Sequence, residues 1–483
     1  MAGATVARAT STSTAAGPRG WRRLGSYDNF LAGLILLAVF LTCGLTPIQT
    51  DTWWQLRAGA DMWASRQVLL TDTYSHSAYG AFWVNHEWLA EVIFYAAYRL
   101  GGLSLLTLFS AGLIVGGWMF TWRLTRGSAR TVFVLTLLAL VSSSGWWEPR
   151  PHAFSLLFIP WMFFLLERQQ YRWLPVLFLV WANCHGGVLL GLALLVVALG
   201  TRTFVNRAEL RPSVAILTAC VLAMTLTPLG IHFWTEIPRS LARINTYTLD
   251  EWERPRFNEM TMIPFWGISG YYLLTLVRRA RHVRALTPED AMLHTCALTL
   301  LAGALNASRN VGPFLMVVLP ALTRLLNGGT PRTAAESKGS ADRPVLNLAI
   351  LSFAAVAVAM TLSTAYREAW PRLKWSPVPV AAIDALRACP DNLYNRYDEG
   401  GVLLWFAPER KVFLDGRQDP FPQSLVLEHI EMETGKRNYR ETFERHGIRC
   451  AFLPVTSPVA SRLKDNDWIV VYQGPQWIVL RQP

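Results

Sequence analysis

Uncharged apolar windows of about 17 to 25 residues, the length that carries an α-helix across a hydrocarbon core, recur along the first three quarters of the chain. Backbone polar groups inside a bilayer must be satisfied within the segment, so such a chain folds as a bundle of membrane helices. The composition agrees: 52% of the 483 residues are hydrophobic and 16% are charged, against roughly 25% charged in an ordinary soluble domain. The Ser/Thr/Ala-rich start precedes a full-length window and is followed by no convincing cleavage site, which reads as a retained anchor rather than a signal peptide.

Arginine placement sets the orientation. Arg19, Arg22 and Arg23 precede the first span, 29–49, and put residues 1–28 in the cytoplasm as an N-terminal tail by the positive-inside rule. Further basic clusters at Arg123/Arg126/Arg130, Arg168/Arg172, Arg202/Arg207/Arg211, Arg278 to Arg284 and Arg324 to Arg343 are cytoplasmic only when crossings come in pairs between them. Windows near 103–122, 131–147, 153–167, 173–184, 187–201, 212–229, 260–277, 291–308, 310–323 and 345–366 supply those pairs, about eleven transmembrane helices with the first. The run 173–201 is broken by "NCHGG", two short helices meeting at a break, and 86–102 carries charge and reads as interfacial.

The expected fold is thus an α-helical polytopic membrane domain over 29–326 with a large first outer loop, 50–102. A polar cytoplasmic linker, 327–344, and a last span, 345–367, lead to an extracytoplasmic α/β domain over 368–483. In that tail "KVFLDG" and "DWIVVY" read as strands, while "VAAIDALRAC" and "NYRETFERHG" have helical spacing. The net charge of +12 sits in arginine clusters between apolar windows, so it reports orientation and not a nucleic-acid partner. Six cysteines show no CxxC spacing; Cys389 and Cys450 lie outside the windows, either as a disulfide or as two thiols.

Ionisable residues that hydrophobicity would not have chosen gather on the outer side: Asp51, Asp72, His86, Glu87, Glu148, Arg150, His152, His185, Asp250, Glu251 and Arg309. Asp51 closes the first span, as a base or cation ligand or as a helix end in water. Trp53 and Trp54 beside it read as interfacial anchors or as sugar-stacking platforms. Glu87 is a second carboxylate or a metal ligand, against a solvated charge opening a helix. Glu148 and Arg150 form an ion pair, or Arg150 grips a phosphate in bidentate fashion. His185 is a ligand, a proton carrier or a satisfied polar residue, and Asp415 with Arg417 in "FLDGR" is a strand-to-turn element or a pair facing this site. P-loop, Rossmann, nucleophile-elbow and HExxH patterns are missing, which leaves carboxylates and arginines facing a substrate with a lipid tail and a charged head.

"DTWWQLRAGADMWASRQVLLTDTYSHSAYGAFWVNHEWLAEVIFYAAYRLGG", 51–102, resembles the first outer loop of GT-C-type membrane glycosyltransferases, in particular a poorly characterised bacterial branch. "WANCHGG" and "DEGGVLLWFAPERKVFLDGRQD" are similar to segments of the same group. The resemblance implies a polyprenyl-phosphate-linked sugar as donor, transfer on the outer face of a bacterial inner membrane, and, by position, Asp51 as the catalytic base or metal-associated residue; the residues themselves add Glu87 as the candidate second catalytic carboxylate. His86, Glu148, Arg150, His185 and Arg309 are then substrate-binding. The cofactor is open, with a divalent cation as the candidate, and so are sugar and acceptor. The competing reading is a lipid-linked saccharide transporter or an envelope assembly scaffold; the chain shows no internal repeat of the kind transporters use.

Overall fold

The computed structural model describes residues 24–244, 252–279, 286–327, 343–368, 371–389 and 392–483. Asp250, Glu251, the arginines before the first span and most of the 327–344 linker lie outside those residues. The membrane domain comprises α1 (Tyr27–Gly44), α2 (Thr50–Ser65), α3 (Trp88–Leu124), α4 (Ala129–Ser143), α5 (His152–Glu167), α6 (Leu174–Cys184) and α7 (Val188–Val205). It continues with α8 (Leu210–Met224), α9 (Phe233–Ile244), α10 (Ile263–Arg278), α11 (Pro288–Asn306), α12 (Val311–Leu326) and α13 (Pro344–Arg367). Six helical stretches among the described residues are long and apolar enough to cross a membrane, and His152–Glu167 is a shorter apolar helix. The "NCHGG" break is present, with α6 ending at Cys184 and α7 starting at Val188.

Asp51 does not close the first span. That span ends at Gly44, and Asp51 stands in the first turn of the separate helix α2. The charged stretch after His86 is continuous with the next apolar window in α3, and the two parts meet at Gly101 and Gly102, which depart from helical angles. One end of the helix bundle is tied by buried ions. Arg324, at the end of α12, donates to the Leu124 carbonyl and pairs with Glu167 (2.6 Å) and Asp290 (3.1 Å). Arg202, 1% exposed, pairs with Glu209 and Glu289, both at 3.2 Å. These arginines join helix ends, and their carboxylate partners satisfy charge that burial would otherwise make expensive.

The tail contains α14 (Val380–Arg387), β1 (Asn392–Asn395), α15 (Tyr397–Phe406), α16 (Gln423–Glu433), α17 (Arg440–Arg445), β2 (Ile448–Pro454), α18 (Pro458–Lys464), β3 (Ile469–Gln473) and β4 (Trp477–Arg481). Its sheet runs β1-β2-β4-β3, with β1 parallel to β2 and the other pairs antiparallel. Cys389 and Cys450 are joined in a disulfide between the end of α14 and β2, both buried. "DWIVVY" forms β3, but "KVFLDG" forms no strand: Val412 makes a single bridge to Ser75 of the outer loop, while Phe413 packs on Tyr394 and His446 inside the tail.

The seam fixes the tail on the outer loop. Arg417, buried, pairs through Nη2 with Asp72 and with Asp415, both at 2.7 Å. Its guanidinium also lies 4.9 Å from the Tyr74 ring centroid and 4.8 Å from that of Trp83. Asp72 accepts from the Tyr74 amide at 3.0 Å and the Ser75 amide at 3.3 Å, folding the loop into the shape that Arg417 meets. Trp53 and Trp54 are neither interfacial anchors nor exposed platforms. They are 2% and 6% exposed, and Trp53 packs on Trp405 and Phe406 of α15. Apolar rings need cover from water, and here the tail supplies it instead of lipid.

Candidate functional site

The first turn of α2 aims Asp51 at the loop between α4 and α5. Arg150 Nη2 reaches Asp51 at 2.8 Å and Nη1 reaches Glu148 at 3.3 Å. One guanidinium therefore spans two carboxylates, the forked geometry that suits it also to phosphate oxygens. Thr52 Oγ donates to the Pro149 carbonyl at 2.9 Å and fixes the loop against α2. Trp54, one turn along, donates its indole N–H to Asp51 at 3.1 Å. Asp51 and Arg150 stay 22% and 24% exposed at their side chains while Glu148 is buried, so the ion pair faces an opening.

The tail closes over the same carboxylate. A Cβ added to Gly416 would lie 2.2 Å from Asp51 Oδ1, and one added to Gly401 would meet the Thr50 carbonyl at 2.5 Å. Glycine alone permits that approach. The Tyr397 hydroxyl donates to the Gly416 carbonyl at 3.1 Å; burial first, and then the negative charge of Asp51, push its ionisation well above the ordinary phenol range.

A second carboxylate, Glu87, precedes α3. Gln55 donates to one of its oxygens at 3.3 Å. His86 and His185 each bring Nε2 to 3.8 Å from the other. Their hydrogen bonds separate their tautomers. His86 Nδ1 lies 3.0 Å from the Val84 carbonyl, which only accepts, so Nδ1 carries a proton and the neutral ring turns a lone pair to Glu87. His185 Nδ1 accepts the Gly187 amide at 3.1 Å, so its neutral ring points an N–H at Glu87. Ser155 Oγ, 2.7 Å from His185 Nδ1, accepts the Trp181 indole N–H at 2.8 Å and holds the ring on its break. Burial raises the Glu87 carboxyl, opposed by the charges of His86 and Arg150; burial, aided by Arg309, keeps His185 well below the ordinary imidazole range.

Facing lone pairs on His86 and Glu87 repel unless a proton or a cation lies between them. Among the described residues no three His, Cys, Asp or Glu side chains are grouped as metal ligands. Glu87 and His86 by themselves are two donors and make no metal shell. Arg309 stacks on Trp252 at 4.6 Å from the ring centroid and acts on both Glu87 and His185 through its charge.

All seven site residues expected from the sequence are described. Asp51, Glu148 and Arg150 form one ion-paired group; Glu87, His86 and His185 form another; Arg309 acts on the latter at longer range. Asp415 and Arg417 sit behind the site in the docking seam. Gln55, Ser155, Tyr397 and Gly416 escaped the sequence reading, and Trp54 entered it as an anchor or stacking platform, not as a donor to Asp51. Being uncharged, they stand out only once their partners are known.

No family model and no curated protein matches this chain. Solved structures do. The apo oligosaccharyltransferase of Archaeoglobus fulgidus matches with a TM-score of 0.57 at 12% identity, over 87% of this chain and 69% of that one. The same archaeal enzyme, AglB, solved with an inhibitory peptide and a dolichol-phosphate, gives 0.55 at 12% identity over the same shares. ArnT from Cupriavidus metallidurans, in the apo state, gives 0.45 at 14% identity over 93% of this chain and 96% of that one. The chain thus shares its fold with this archaeal oligosaccharyltransferase, the kind of fold that the GT-C resemblance of its first outer loop leads one to expect.

Proposed function

We propose that the protein is a membrane glycosyltransferase that moves a sugar from a polyprenyl-phosphate donor to an acceptor on the outer face of the membrane. One observation carries the reading: Arg150 bridges Asp51 and Glu148 in a partly open cluster beside Glu87, so a base and a phosphate-binding cation share one site. Glycosyl transfer passes through an oxocarbenium-like state, which needs both. The acceptor oxygen bonds to the anomeric carbon and its proton passes to Asp51. The bond to the phosphate oxygen breaks, and the phosphate departs with the electron pair. Arg150 and Arg309 stabilise the departing charge; His185 donates from Nε2 to substrate oxygen. Glu87 orients the acceptor. A divalent cation belongs to the proposal, held by Glu87 and His86, where it would neutralise phosphate charge.

The proposed setting is a bacterial inner membrane, with about eleven crossings and the tail outside. Two observations support this: the buried arginine network ties the end of the bundle where the sequence places the cytoplasm, and the tail is disulfide-bonded, as oxidising compartments allow. The test is purified protein with a panel of polyprenyl-phosphate sugars, with and without a divalent cation, and Asp51→Asn. Transfer should fall by about 10²- to 10⁴-fold in a folded variant that still binds donor. Full transfer by that variant removes Asp51 as base. Failure of every donor to bind the wild type favours the transporter or scaffold.

A further inference from the structure

A polar cavity of about 180 Å³ opens at the seam between the outer loop and the tail. Arg57 and Asp61 line it from α2, Tyr74 from the loop, and Glu409, Arg410 and Lys411 from the tail. Its walls are stitched together: the Val412 amide donates to the Tyr74 carbonyl and the His76 amide to the Val412 carbonyl, both at 3.0 Å.

Both carboxylates already have donors. Asp61 accepts from Arg57 at 2.8 Å and from the Tyr74 hydroxyl at 2.7 Å, and Glu409 is turned to Arg387 at 2.7 Å. The Lys411 ammonium lies 3.5 Å from the Tyr79 ring centroid, and among the described residues it has no carboxylate within ion-pair range. With Arg57, Arg410 and Lys411 set against Asp61 and Glu409, the lining carries an excess of positive charge, which attracts an anion. It shares α2 with Asp51, ten residues along, or about 15 Å at the helical rise. A short oligosaccharide covers that separation.

We propose that this cavity is a subsite for the anionic group, carboxylate or phosphate, of a saccharide held between the outer loop and the tail. Taking that saccharide as the acceptor rests on the transferase reading; the anion site itself does not.

The test uses the full chain in detergent micelles and three probes: glucuronic acid, glucose 6-phosphate and glucose. Binding is measured by saturation-transfer NMR and calorimetry on wild type, Lys411→Glu, Thr73→Trp and Asp51→Asn. At least one acidic probe should bind at least about tenfold more tightly than glucose, as a charge-assisted contact gives. Which acid binds identifies the carboxylate or the phosphate as the ligand group. Lys411→Glu should weaken that binding by at least about tenfold by placing like charges together, Thr73→Trp should block the mouth, and Asp51→Asn should leave binding unchanged. Melting curves establish which variants are folded. Glucose binding as tightly as the acids, acid binding unchanged in both folded cavity variants, or no acid binding to wild type overturns the proposal. Donor turnover is read in parallel, so a protein that binds acid yet turns over no donor counts against the transferase reading alone.

Discussion

Asp51 is held from three directions: by Arg150, by the Trp54 indole and by the backbone at Gly416. Trp54→Phe keeps the ring and removes one hydrogen bond. Transfer should fall by a few-fold to tenfold, since such a bond contributes about 0.5–1.5 kcal/mol. Gly416→Ala puts a methyl group where Asp51 Oδ1 stands, so it should lower the turnover rate more than tenfold while donor affinity, measured by direct binding, holds. Asp51, Glu87, Arg150 and His185 were legible because ionisable groups stand out in an apolar chain. Gly416 was not, because its role exists only through a carboxylate hundreds of residues away in the sequence.

At the scale of elements, the seam of Asp72, Asp415 and Arg417 joins tail and outer loop through a buried cation shared by two carboxylates. Arg417→Met leaves two buried carboxylates without their cation and should cost about 3–5 kcal/mol. Limited proteolysis should then cut between 368 and 392 faster, and Asp72→Asn added to Arg417→Met should recover part of the loss. Helix α15 holds a different switch. Burial raises the Glu399 carboxyl to about 7, against the nearby Arg396. The folded tail thus holds this proton more tightly than the unfolded chain, so the stability Glu399 gives is complete below about pH 4.5 and is lost as pH rises through about 7. Glu399→Gln should flatten the pH dependence of the melting temperature over that window. Helices of the membrane domain were readable from their apolar windows. α15 was not, with a glycine pair inside it, and "KVFLDG" alternates like a strand but buries its face on another element.

For the whole molecule, two polar ends bracket an apolar middle, and the tail caps one of them. The disulfide should show as two cysteines, Cys389 and Cys450, that resist alkylation in the denatured protein until reductant is added. Cys450→Ser should lower tail stability by about 2–4 kcal/mol. The sequence left that pair open because spacing alone does not place two sulfurs together. The Gly416 contact has a further consequence, for timing. A chain emerges N-terminus first, so α2 and the outer loop are made long before residues 397–417. Until those residues arrive, Asp72 lacks its arginine and Asp51 lacks its roof. The outer loop and α2 are therefore made well before their partners, and the surroundings of Asp51 are completed only when residues 397–417 have been synthesised.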